Sequence, residues 1–163
     1  MSCTKKKKDN CHDTVSKWYE FSMNSRSEDE IREMILTDPD SVCYSYICMK
    51  SPLSENFIEE LRVLSTELIN KELYTPDNLK LVSDILSIKN LTERSKYVRE
   101  LYMNNKLPYF MKSKIRSDMM VRDKLDWRNL VKYQNLSKEF IDSHQDEINE
   151  VRRMYNSQDM VAI

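Results

Sequence analysis

Six side chains in this sequence have the chemistry of metal ligands or nucleophiles: Cys3, Cys11, His12, Cys43, Cys48 and His144. A structural zinc site needs paired cysteines two to four residues apart. Cys3 and Cys11 are spaced too widely for that, and Cys11-His12 is a lone pair near the start of the chain. Cys43 and Cys48 fall where a helix is expected, and five residues of helix turn through about 140°, so the two thiols cannot easily share an ion. Nucleophilic catalysis needs a base and an orienting group within reach of the nucleophile. His144 stands in Ser143-His144-Gln145-Asp146, which reads as an exposed helical turn. The carboxylate pair Glu59-Glu60 is adjacent on a helix and therefore diverges into a solvated face. There is no glycine anywhere in the chain, which removes every Gly-rich phosphate-cradling loop. These residues predict no catalytic, cofactor-binding or metal site, and a protein that is not an enzyme.

Charge is distributed more tellingly than it is totalled. The net charge is −1, yet Ser27–Asp77 carries twelve acidic residues against four basic, and Met103–Tyr133 carries eight basic against three acidic. The basic members are Lys106, Lys112, Lys114, Arg116, Arg122, Lys124, Arg128 and Lys132, interleaved with Tyr109 and Phe110. Such a stretch can contact phosphate, can meet an acidic face of another protein subunit, or can be solvated helix surface. A pI near 6.2 speaks against a dedicated nucleic-acid protein. The Lys5–Lys8 run reads as a solvated tail, with a targeting signal or a phosphate-binding arm as alternatives. Ten methionines are many for this length; Met103, Met111, Met119 and Met120 can fill core gaps or soften a docking surface.

The elements that must position these groups are helices. Lacking glycine, the chain is poorly equipped for tight β-hairpins, and a 33% charged, Lys- and Glu-rich composition favours helix. The spacing predicts an all-α, compact array of about eight or nine short helices within one domain over residues 13–157, between a flexible basic tail at 1–12 and a short tail at 158–163. Helix starts are expected at Thr14, at the Ser27-x-x-Glu30 capping box, at Pro39, Ser54, Thr75-Pro76, Thr92, Pro108, Asp126 and Ser137. The Pro39 helix is expected to run through Val42, Tyr46 and Ile47. The Pro108 helix should carry Phe110, Met111, Ile115 and Met119, and the Ser137 helix should run without a break through Phe140, Ile141, Ile148, Val151 and Met154. No run approaches the roughly 20 apolar residues of a membrane span, and no apolar stretch follows the lysines as in a signal peptide. The protein is therefore expected inside the cell and not secreted, with reduced thiols.

One internal similarity stands out at a constant offset of 83 residues. Asp40 matches Asp123, Val42 matches Leu125, Tyr44 falls on Trp127 and Ile47 on Leu130; Leu53-Ser54 and Phe57-Ile58 recur as Leu136-Ser137 and Phe140-Ile141. Read as a repeat, each unit is a helical hairpin that buries its face only against neighbours; the alternative is that any serine-capped helical hairpin shares these features. Residues 125–141, LDWRNLVKYQNLSKEFI, resemble the short helical repeats of the form D-W-x-x-L-x-x-Y-Q-x-L-S-x-x-F-I found in proteins of large DNA viruses and some phages. The segment at 40–58 departs from that form, with Cys43-Tyr44 in place of Asp-Trp. The resemblance brings no catalytic residues. It implies a viral origin, in host cytoplasm or virion, and a structural or interaction role: a minor virion or assembly component bridging protein subunits. A nucleic-acid-binding accessory protein using residues 106–132, and a helical module that binds a host partner, are the alternatives. Oligomeric state is left open by the sequence.

Overall fold

The computed structural model describes residues 20–69, 71–150 and 152–153. The basic tail, most of the first expected helix, Cys3, Cys11, His12, Val151 and Met154 lie outside those residues. The described chain is all-α, with no strand among the described residues. From residues 20–23, already helical, it enters α1 (Glu28–Thr37), a 3-10 turn at Pro39–Ser41, α2 (Tyr44–Lys50) and α3 (Glu55–Ser65). A second 3-10 turn at Lys71–Leu73 precedes α4 (Pro76–Ser87), α5 (Leu91–Met103), α6 (Tyr109–Lys112), α7 (Trp127–Tyr133) and α8 (Lys138–Ser143). Helix resumes at 145–150.

The starts are local chemistry. At α1 the Ser27 hydroxyl accepts from the Glu30 amide at 3.2 Å while the Glu30 carboxylate accepts from the Ser27 amide at 3.0 Å, a reciprocal cap. Ser54, Thr75, Asp126 and Ser137 cap α3, α4, α7 and α8 through the same side-chain-to-N3 bond. The cap of α5 is Asn90, two residues before the expected Thr92: its amide oxygen takes the Glu93 N–H at 3.0 Å, and Asp146 takes that of Leu91 at 3.1 Å.

Three expected helices come out shorter or broken, each because a side chain captures a backbone group that helix would need. After the Pro39 turn, the Cys43 N–H donates to Ser22 Oγ at 2.8 Å, so Val42 and Cys43 stay extended and α2 begins only at Tyr44. Cys43 therefore precedes the helix that buries Cys48. The Pro108 helix stops at Lys112, where Ser113 Oγ takes the Phe110 carbonyl at 2.9 Å and Lys114 N falls back on Met111 O. Beyond it the chain runs through turns to Asp126. The last helix breaks at His144, because Ser143 Oγ at 2.8 Å and His144 Nδ1 at 2.8 Å both engage the Phe140 carbonyl; the His144 N–H binds Ile141 O instead.

At one helix end, an asparagine does the work usually given to glycine. At the end of α5, Lys106 N–H reaches Leu101 O at 2.9 Å and Asn105 N–H reaches Tyr102 O at 3.3 Å. Asn105 holds the left-handed position at φ 55°, so the pair of bonds forms a Schellman motif with asparagine where glycine is usual.

Burial divides into two apolar clusters. One gathers Ile31 and Ile35 of α1, Ile47 of α2, Phe57, Ile58 and Leu61 of α3, Trp127 and Leu130 of α7, and Phe140 and Ile148. The other gathers Leu68, Ile69, Val82, Ile85 and Leu86 around α4 with Val98 of α5, Leu107, Met111 and Val121. Within the first, the two segments related by the 83-residue offset share element boundaries: α2 and α7, and the starts of α3 and α8, fall at that spacing. They also meet. α2 packs on α7, Asn129 donates to the Ser45 carbonyl at 2.9 Å, and Ser45 donates to Asp126 at 2.5 Å. Gln134 ties the turns together, accepting from Leu53 N–H at 2.9 Å and donating to the Cys48 and Ser51 carbonyls at 2.8 and 2.7 Å.

Candidate functional site

The densest chemistry in the molecule is a buried ionic network that draws on elements of both clusters. Its hub is Arg62 in the last turn of α3, fully buried. Arg62 Nε donates to Asp123 at 3.0 Å, one terminal nitrogen donates to Glu59 at 3.0 Å, and the other donates to Glu147. Arg94, in the first turn of α5 and equally buried, shares the same Glu147 oxygen at 2.8 Å. Its remaining donors reach Leu86 O, Ile88 O and Val121 O at 2.8–3.4 Å. It thereby satisfies carbonyls that the end of α4 would leave bare. Trp127 Nε1 donates to the second oxygen of Asp123 at 3.0 Å and its ring lies 5.6 Å from the Arg62 guanidinium.

His144 completes the network. It is buried at 2% exposure, which overturns the expected exposed turn: its ring is held between Trp127 at 4.9 Å and Phe140 at 4.3 Å. Nε2 lies 2.6 Å from Glu59 and 3.0 Å from Lys89 Nζ. Nor is Glu59-Glu60 a solvated face. Glu59 binds Arg62, Lys89 and His144, and Glu60 pairs with Arg32 at 2.6 Å. Burial opposes ionisation of Glu59, but the His144 bond and the charges of Arg62 and Lys89 outweigh it and hold the carboxyl well below the ordinary range. Desolvation, aided by Arg62, pushes Lys89 down despite Glu59. Desolvation also pushes Asp123 up against the pull of Arg62, although every group on Asp123 is a donor that suits the carboxylate. Arg62 is raised: its burial is outweighed by Glu147, Asp123 and Glu59.

This arrangement pairs its charges with one another. His144 Nδ1 is engaged by the Phe140 carbonyl, and the hydroxyl beside it, Ser143 Oγ, already donates to that carbonyl. Burial pushes the Cys48 thiol up to about 12, so it is held neutral. No cluster of three metal-ligating side chains occurs among the described residues.

The eight basic residues of the sequence do not share one role. Arg122 turns inward to Glu150, and Arg116 lies 3.7 Å from Glu67. Lys132 lies over the Tyr133 ring, and Arg128 and Lys124 are exposed. Lys112 donates to Asn105 at 2.8 Å and its ammonium lies 5.9 Å from the Tyr102 ring centroid. Lys106 and Lys114 are exposed, and their side chains have no partner among the described residues. Five large apolar side chains are exposed: Leu36, Tyr102, Met103, Tyr109 and Tyr133. Three of them, Met103, Tyr109 and Tyr133, fall in this basic stretch, and Tyr102 directly precedes it.

Arg62, Arg94 and Glu147 had no place in the sequence reading, and Asp123 entered it only as the repeat partner of Asp40. The available signal was positional: Arg62 stands four residues after Ile58, and Arg94 four before Val98, each on the apolar face of its helix. No protein-family model, characterised protein or solved structure matches the chain.

Proposed function

We propose that this chain is a non-enzymatic bridging protein, whose acidic and basic ends dock different partners on either side of a rigid helical core. The observation that carries the reading is the coincidence of exposed apolar surface with the basic stretch: Met103 at 73% and Tyr109 at 88% exposure stand beside Lys106 and Lys112. Aromatic and methionine side chains are what docking surfaces expose. At the acidic end, Leu36 is exposed one turn from Glu33, with Asp38 and Asp40 following; this suits a basic protein face. The buried network would serve as the scaffold. Together with the viral-repeat resemblance of residues 125–141, this supports a minor virion or assembly component, working in host cytoplasm or virion. No helix among the described residues is long and apolar enough to cross a membrane.

The test is capture on the immobilised chain from nuclease-treated extract, comparing wild type with the double variant Glu33→Lys, Asp40→Lys. A defined protein retained by wild type and lost by the variant is the expected result. Recovery of the same proteins by both would remove the acidic end from the reading.

A further inference from the structure

We infer that the basic end, built from the close of α5 and the segment through α6, is a platform for single-stranded nucleic acid. The inference rests on the bridging reading and names the partner of its second face.

The platform is built by backbone geometry. The Schellman turn at Asn105 reverses the chain directly after α5, so Tyr102 and Met103 on the helix and Lys106 and Tyr109 beyond it come from one reversal. Asn105 also accepts from Lys112 Nζ at 2.8 Å, which ties α6 back to the end of α5 and leaves that ammonium 5.9 Å from the Tyr102 centroid. Lys106, Lys112 and Lys114 thus fall within nine residues that include Tyr109, which is itself 88% exposed.

Two features choose the occupant. Lysine is depleted in protein–protein interfaces, whereas its compact, strongly hydrated charge suits a phosphate. Lys106 and Lys114 keep their charges unspent on any carboxylate among the described residues. Tyr109 supplies what a charged loop alone lacks, a free aromatic face on which a base can stack. Bases in a duplex are already stacked on one another, so an open ring at the start of α6 fits an unpaired strand. The acidic stretch Ser27–Asp77, with twelve acidic residues against four basic, repels phosphate and disfavours contact there.

The experiment is fluorescence anisotropy of the full chain with a labelled oligo-dT, titrated at several salt concentrations, with oligo-glutamate as competitor. Three lysine–phosphate contacts predict a slope of log K on log salt of about −2 for a single strand. Tyr109→Ala is expected to weaken binding about tenfold through lost stacking, and Lys106→Glu with Lys114→Glu to abolish it. Glu33→Lys, at the acidic end, should not reduce it. All four positions are exposed, and thermal melting of each variant confirms that it folds. Absence of salt-dependent binding, binding unchanged by Tyr109→Ala, or displacement by oligo-glutamate as effective as by unlabelled oligo-dT would overturn the inference; the last result would make an acidic protein the occupant. Because the acidic-end capture uses nuclease-treated extract, its outcome is independent of this one.

Discussion

A guanidinium stripped of water must have its charge and its donors met by the fold, and Arg62 has three carboxylates arranged to do so. Such networks are costly to break in part, because a lost partner strands the remaining buried charges. Glu147 is the member shared by Arg62 and Arg94. Glu147→Ala is therefore expected to lose about 3–5 kcal/mol of stability, read as a lower urea midpoint at unchanged slope. A loss under about 1 kcal/mol would show that water reaches the two arginines. Acid acts on the same network through Glu59. Its carboxyl is held below its unfolded value, so as pH falls the unfolded chain takes up the proton first and folding loses stability. The stability difference between wild type and Glu59→Gln should be full above about pH 5 and shrink as pH falls through the ordinary glutamate range. A difference that grows on acidification would reverse the sign of the pairing. The sequence could not show this network: Arg62, Arg94 and Glu147 look like solvated charges until distant elements close over them, and His144 looks exposed until Trp127 and Phe140 enclose it.

At the level of elements, what is local was legible and what is captured from afar was not. Ser27, Ser54, Thr75, Asp126 and Ser137 were identifiable as caps because a cap needs only its own next three residues. The break at His144 and the early stop at Lys112 were hidden, because serine and histidine side chains compete for the Phe140 and Phe110 carbonyls only in the folded geometry. The starts of α3, α7 and α8 were legible from their caps, while α2 begins five residues later than its expected start at Pro39; that α2 and α7 lie against each other was not legible. Gln134 joins those segments through three backbone groups, so Gln134→Ala is expected to cost about 2 kcal/mol in a denaturant titration. A neutral result would mean that α2 and α7 are held by apolar contact alone. The α5 terminus makes a separate prediction. At Asn105, φ 55°, alanine should cost roughly 1 kcal/mol and glycine little or nothing; thermal melts in which both variants fall equally would contradict the left-handed turn.

For the whole molecule, the near-zero net charge conceals two unlike ends. Exposed Leu36 has Glu33, Asp38 and Asp40 as sequence neighbours, and exposed Met103 and Tyr109 have Lys106 and Lys112. The set of eight basic residues that the sequence singled out is divided by folding, since Arg122 is paired to Glu150 and Arg116 faces Glu67. What remains is a core crossed by buried ion pairs, with Leu36 exposed in the acidic stretch and Met103 and Tyr109 exposed in the basic one. The most direct test places a photo-crosslinking amino acid at Leu36 in one variant and at Tyr109 in another, followed by mass spectrometry from cells that produce the chain. Bridging predicts a defined protein joined at position 36 and a different partner, nucleic acid, joined at position 109. The same partner at both positions, or none above background at either, would contradict it.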